Sequence, residues 1–143
     1  MEVPDRLERR IDVAASRDRV WAAFTEPAEL LHWLPTHEAE VDLRIGGAMR
    51  FAWEDDADEA VIEHIAPPER LVFRWRPAGS DRPYTTVSIA LRELPGDRTE
   101  VTLTESGFAT LPTEIRGQAY EGNTKGWSEE LEELRVHLEQ ERV

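Results

Sequence analysis

Gly126-Trp127-Ser128-Glu129-Glu130-Leu131-Glu132-Glu133-Leu134-Arg135-Val136-His137-Leu138 decides the fold of this chain. Trp127, Leu131, Leu134 and Leu138 fall at i, i+4, i+7 and i+11, which is one apolar stripe at helical period. Glu129, Glu130, Glu132, Glu133, Glu139 and Arg135 are assigned to the other faces. The helix is expected to run from about Leu111 to Glu141. A stripe of this length needs a partner surface. Upstream of it stand Gly117, Tyr120, Gly122, Asn123 and Gly126, which cannot pack as densely as leucines. Glycine at 122 costs about 1 kcal/mol relative to alanine and is expected to bend the helix. This half is predicted to border a ligand cavity.

The partner surface is legible in the preceding segments. Leu7, Arg9, Ile11 and Val13 share one parity and Glu8, Arg10 and Asp12 the other, a strand with one buried face. Arg9 falls on the apolar side, either near a strand end or as an anion-facing ligand contact. Ser16 is a favourable helix cap with Asp18 in the first turn, and Val20, Trp21 and Phe24 form an apolar side. A second short helix starts at Pro27, runs through Leu30, Leu31 and Trp33, and stops before Pro35.

Six more strands are expected. Val41, Leu43 and Ile45 alternate with charged residues, and Gly46-Gly47 turns the chain. Met49, Phe51 and Trp53 form the next strand, and the acidic run from Glu54 to Glu59 reads as a hairpin tip. Ala60 to Ile65 follows, closed by Ala66-Pro67-Pro68-Glu69. Leu71, Phe73 and Trp75, then Val87, Ile89 and Leu91, then Val101 and Leu103 complete the set. Short connections predict an antiparallel meander with one wet and one dry face. The expected architecture is α+β: a curved antiparallel sheet of about seven strands wrapped around a long C-terminal helix, with two short helices after strand 1. Residues 1–143 are expected to form one domain.

Composition narrows the function. The net charge is −13, with 17 basic residues scattered among 30 acidic ones, which argues against nucleic acid and anionic membranes as partners. There is no cysteine, so thiol and disulfide chemistry are excluded. No apolar run approaches membrane-spanning length and no signal peptide is evident, so a cytoplasmic location is expected. The basic residues are arginines apart from Lys125, the bias of a GC-rich bacterial genome.

The ordered set of segments resembles the START/Bet v1-like (SRPBCC) superfamily, the helix-grip fold. More narrowly it resembles the branch of the activator of Hsp90 ATPase. The matching pieces are Ser16 to Val20-Trp21 through Phe24-Thr25-Glu26-Pro27, then Leu30-Leu31-His32-Trp33-Leu34, and Val41 to Gly46-Gly47. Pro67-Pro68-Glu69 through Phe73-Arg74-Trp75, and Ser106-Gly107-Phe108 followed by Gly126-Trp127 and the leucine helix, complete them. The resemblance implies a cavity and no catalytic residue. Members bind lipids, polyketides, steroids or hormones, and a few in enediyne producers give self-resistance by being cleaved in place of DNA.

Sequence motifs add no enzyme chemistry. His32, His37, His64 and His137 lack metal-ligand spacing, and the acidic run lacks the glycine and spacing of a calcium loop. Gly-x-Ser-x-Gly is absent, and Gly46-Gly47 is a turn and no phosphate loop. No metal and no cofactor is therefore expected, and a binding protein is favoured over an enzyme. Trp33, Met49, Phe51, Trp53, Phe73, Trp75, Val87, Ile89, Leu103 and Trp127 are expected to line the cavity and contact the ligand. Tyr120 and Asn123 are expected to orient a small apolar or aromatic ligand. The aromatics have a second reading as plain core. Two other functions stay open: a sacrificial resistance protein, with Gly107, Gly117, Gly122 or Gly126 at the cavity mouth, and a polyketide cyclase-like enzyme. An Hsp90-type co-chaperone is weaker, because the chain has no room for the additional N-terminal domain of the eukaryotic activator. A monomer or homodimer is expected.

Overall fold

The computed structural model of the protein describes residues 2–34 and 36–140. The chain begins with strand β1 (Arg6–Val13), helix α1 (Arg17–Thr25) and helix α2 (Pro27–Trp33). Strands β2 (Glu38–Val41), β3 (Ala48–Trp53), β4 (Asp56–Ala66), β5 (Arg70–Pro77), β6 (Thr85–Leu94) and β7 (Arg98–Ser106) follow. A single 3-10 turn at Phe108–Thr110 leads into helix α3 (Thr113–Gln140). The seven strands form one antiparallel sheet in the order β1-β7-β6-β5-β4-β3-β2. Every neighbour is sequential except β1, which closes onto β7 with Leu7 opposite Glu105 and Ile11 opposite Val101. The sheet curves around α3, so the α+β helix-grip architecture read from the sequence is the one observed.

Local chemistry explains the element ends. Ser16 caps α1 by accepting from the Arg19 backbone N–H at 3.2 Å. Pro27 opens α2, where its missing N–H costs nothing. The Trp33 indole N–H donates to the Ala23 carbonyl at 2.9 Å, and its ring meets Phe24 edge-on at 5.1 Å. These contacts lock α1 and α2 into one elbow. Pro35, the expected stop, and Glu141, the expected end of the last helix, lie outside the described residues. α3 begins two residues later than Leu111, because Leu111 is extended after the 3-10 turn and Pro112 precedes the first helical residue.

Two strand expectations need correction. β2 ends at Val41, so Leu43 and Ile45 are exposed loop residues and not strand. The loop folds back on itself. Asp42 N–H donates to Ala48 O and Gly47 N–H to Arg44 O, while Gly46 N–H reaches Ile62 O on β4. A Cβ on Gly47 would sit 1.9 Å from the Asp42 carbonyl oxygen, so only glycine permits this approach. The acidic run is also not all hairpin tip. Only Glu54 and Asp55 turn, and Asp56 to Glu59 already belong to β4. Asp58 thereby pairs with Phe51 and shares the inward parity of Ala60 and Ile62.

The core lies between the sheet and the C-terminal half of α3. Leu131, Leu134 and Leu138 are buried, as are Leu7, Val13, Leu71, Phe73, Val87, Ile89, Val101 and Leu103. Arg9 on β1 donates to Ser128 Oγ at 2.8 Å, and Glu139 accepts from the Ala14 backbone N–H at 3.0 Å. Both bonds tie α3 to the β1 edge. The helix runs unbroken through Gly117, Gly122 and Gly126. Its first turns pack on Val3, whose Cγ2 is 3.7 Å from the Cβ position of Gly117, and on Phe108, which meets Tyr120 edge-on at 5.2 Å.

Candidate functional site

Opposite this packed region, sheet and helix separate into two chambers that meet at Asp58, Trp75 and Glu130. The larger, about 300 Å³, is walled by Leu34, Thr36, Phe51, Trp53 and Trp75. The smaller, about 230 Å³, is bounded by Arg76, Pro77, Arg82, Gly122, Asn123, Gly126 and Trp127. Strand parity builds the floor, since Phe51 and Trp53 on β3, Asp58 on β4 and Trp75 on β5 all point inward. Helical spacing builds the roof, with Asn123, Trp127 and Glu130 at i, i+4 and i+7. A more voluminous hollow of about 540 Å³ lies over the β3–β4 turn, but its lining from His37 to Ala78 is mostly charged or small. Aromatic side chains wall both chambers.

Glu105 on β7 holds the site together. It is fully buried, in register with Val87 and Leu7. Its Oε2 accepts from Trp75 Nε1 at 3.0 Å, Thr85 Oγ1 at 2.6 Å and Asn123 Nδ2 at 2.9 Å. Its Oε1 accepts from Trp127 Nε1 at 2.9 Å and Asn123 Nδ2 at 3.1 Å. Indole N–H groups only donate, so the arrangement needs a two-oxygen acceptor. One buried carboxylate thus fixes two tryptophans and α3 against the sheet. The indoles of Trp75 and Trp127 stack with centroids 5.3 Å apart, and Phe73 meets Trp75 edge-on at 5.7 Å.

Asp58 and Glu130 face the cavity in a different state. No hydrogen bond or ion pair reaches either carboxyl among the described residues. Burial pushes Asp58 up to about 6, against the pull of Arg82 and with help from Glu105 and Asp56. Burial likewise pushes Glu130 up to about 7, reinforced by the charges of Asp58, Glu129 and Glu105. Arg82, at the smaller chamber, buries its Nε without a partner. The neighbouring Arg76 is engaged with Glu59 at 3.1 Å and with the Arg82 carbonyl.

The expected site residues divide into three groups. Phe51, Trp53, Trp75, Asn123 and Trp127 line the chambers. Phe73, Val87, Ile89 and Leu103 are core beneath them, and Met49 is buried on β3 away from both. Trp33 packs in the elbow, and Tyr120 lies against Phe108 on the far side. The Asn123 amide is held by Glu105 and does not point freely into the space. Of the glycines, Gly122 and Gly126 line the smaller chamber and Gly107 and Gly117 do not. Sequence reading missed Asp58, Arg82, Glu105 and Glu130, and had assigned Glu130 to an outer face. The signal existed, because Glu105 continues the parity of Val101 and Leu103, and Glu130 lies three residues beyond Trp127.

A curved antiparallel sheet gripping a long C-terminal helix, with two short helices after the first strand, defines the helix-grip class. Within it, a family model for activator of Hsp90 ATPase homolog 1-like protein matches residues 14–139, and the chain belongs to that family. Among solved structures, CalU16 from Micromonospora echinospora is 28% identical with a TM-score of 0.73, covering 96% of this chain and 78% of its own. DynU16, described as a putative protein in the dynemicin biosynthetic locus, is 25% identical with a TM-score of 0.78. That alignment covers 96% of this chain but 48% of DynU16. PFC0360w, an HSP90 activator from Plasmodium falciparum, is 21% identical with a TM-score of 0.81, over 94% and 96% of the two chains, and shares the fold. A comparison with curated proteins finds no match. Among the described residues no helix is long and apolar enough to cross a membrane.

Proposed function

We propose that this protein binds a small apolar or aromatic metabolite, lipid or polyketide-like, in the cavity between the sheet and α3. The observation that carries the reading is the aromatic wall of Phe51, Trp53, Trp75 and Trp127 around space left between sheet and helix. Burial of ligand surface at about 25 cal/mol per Å² is the driving force, and the Glu105 network supplies a preformed shape. The similarity to DynU16, from a natural-product biosynthetic locus, favours a polyketide-like occupant over a fatty acid. Trp53 is partly buried and lies outside the Glu105 network, so it tests the site with less effect on the fold than Trp75 or Trp127 would have. Native mass spectrometry and tryptophan fluorescence against panels of aromatic polyketides and lipids should show one bound molecule per chain. Trp53→Ala should weaken that binding several-fold with little loss of stability. Absence of binding across the panels sinks the reading.

A sacrificial role is the second reading, favoured by one observation. Gly122 and Gly126 line the smaller chamber, and apart from their chain neighbours and the adjacent backbone of α3 no atom lies within 4 Å of where their Cβ would be. A bound carbon radical of enediyne type would find their Cα–H bonds unshielded. Incubation with an activated enediyne should then cut the chain in α3 at one of these glycines, stoichiometrically. An intact chain removes this reading and leaves the binding reading standing.

A further inference from the structure

Among the described residues the larger chamber is apolar on most of its wall, yet it holds two carboxyls and no basic side chain. Leu34, Thr36, Phe51, Trp53 and Trp75 share it with Asp58 and Glu130. The nearby cations, Arg76 and Arg82, line the smaller chamber, where Arg76 is engaged with Glu59 and Arg82 buries its Nε without a partner. We propose that the larger chamber recognises a ligand bearing a protonated amine on an aromatic body, with the ammonium lodged between the Asp58 and Glu130 carboxyls and against the Trp53 and Trp75 indoles. The inference rests on the binding reading above and adds to it the charge of the ligand.

A carboxyl withdrawn from water without a donor is unfavourable in its ionised form. Glu105 solves that problem with four donor side chains, whereas Asp58 and Glu130 have none. Their surroundings add to the strain. Glu130 faces Asp58 and Glu105 across the cavity and has Glu129 beside it on α3. Glu133 and His32 border the same stretch on the outer side. Asp58 feels Arg82 in its favour and Glu105 and Asp56 against it. The sum is a negative, partly dry space with π-faced walls. An ammonium supplies donors to both carboxyls and sits favourably over indoles. A neutral aromatic uses only the walls, and a carboxylate ligand is repelled.

Three naphthalene probes of matched shape separate the possibilities: 2-(1-naphthyl)ethylamine, 2-(1-naphthyl)ethanol and 1-naphthylacetate. Titration calorimetry on the full chain near pH 8 should rank them amine, alcohol, carboxylate, with the amine at least about tenfold tighter than the alcohol. Near pH 5 both carboxyls are protonated and the amine's advantage should collapse. At intermediate pH, amine binding should release protons, read from its dependence on buffer ionisation enthalpy. Glu130→Gln and Asp58→Asn should each weaken the amine several-fold more than the alcohol. If the alcohol binds as well as the amine near pH 8, the charge assignment is overturned and the cavity reading survives. If no probe binds, the charge assignment is overturned, while the binding reading is decided by the polyketide and lipid panels. If either variant changes alcohol and amine equally, the carboxyls act on cavity shape and the proposal is wrong.

Discussion

At the scale of single residues, Glu105 carries the largest consequence. Four side chains on β5, β6 and α3 donate to one carboxylate that has no access to water. Glu105→Ala would leave two indole N–H groups, a hydroxyl and an amide without acceptors, and should cost roughly 3–5 kcal/mol in urea denaturation. Glu105→Gln keeps an oxygen for the three donors at Oε2 but turns an NH₂ toward the Trp127 indole. It should cost about half as much, with a change in tryptophan fluorescence reporting the loosened Trp75–Trp127 stack. Equal costs for the two variants would mean that shape rather than hydrogen bonding sets the site. The aromatics were legible in the sequence because they alternate along strands or fall on a helical stripe. The acids were not, because a charged residue is read onto the wet face by default. Asp58 was hidden further by its place in a run of five acids broken by one alanine, whose register is fixed only by pairing with Phe51.

At the scale of elements, α3 does two things with two halves. Leu131, Leu134 and Leu138 fill the core, and Leu134→Ala should cost about 2–5 kcal/mol through the cavity it leaves. The turn from Gly122 to Gly126 lines the smaller chamber. Neither glycine has a left-handed backbone, and no atom crowds the Cβ position of either. Gly122→Ala and Gly126→Ala should therefore stabilise the helix by up to about 1 kcal/mol each, seen as a raised Tm, while narrowing the chamber and weakening ligand binding. A stabilised variant with unchanged binding would remove these glycines from the site. The sequence located the stripe and the sparse half, but it set the cavity too early on the helix. Ile115, Ala119 and Tyr120 are half-buried against other parts of the chain, and the space opens only from Gly122 onward. What filled that first turn was the strand-leading Val3 and the Phe108 turn, neither of which helical periodicity can place. The same limit applies at β2, where alternation through Leu43 and Ile45 imitated a strand and the close approach at Gly47 ended it.

At the scale of the whole molecule, the unpartnered carboxyls tie stability to pH. Asp58 and Glu130 have folded-state values raised to about 6 and about 7, above those of an unfolded carboxyl. Between the ordinary carboxylate range and those values the folded chain holds more protons than the unfolded one, so stability falls as pH rises. The contribution is complete below about pH 4 and is lost as pH rises through about 6 for Asp58 and about 7 for Glu130. Glu29 works the other way. Its burial raises it, but hydrogen bonds from His137 and Arg19 win and hold it below its ordinary value. Its contribution is present above the unfolded value and is lost as acid protonates it. A chain of net charge −13 also repels itself more as pH rises, so wild-type data alone cannot isolate the cavity. The difference between wild type and Glu130→Gln isolates it, because both share every other charge. Near pH 5 the two should unfold at nearly the same urea concentration. Near pH 8 the variant should be the more stable by about 1–2 kcal/mol, allowing for partial solvent access to the chamber. A bound ammonium should erase that difference by satisfying the wild-type carboxyl. A variant less stable than wild type near pH 8 would show that Glu130 is already solvated, and the dry, negative chamber would go with it.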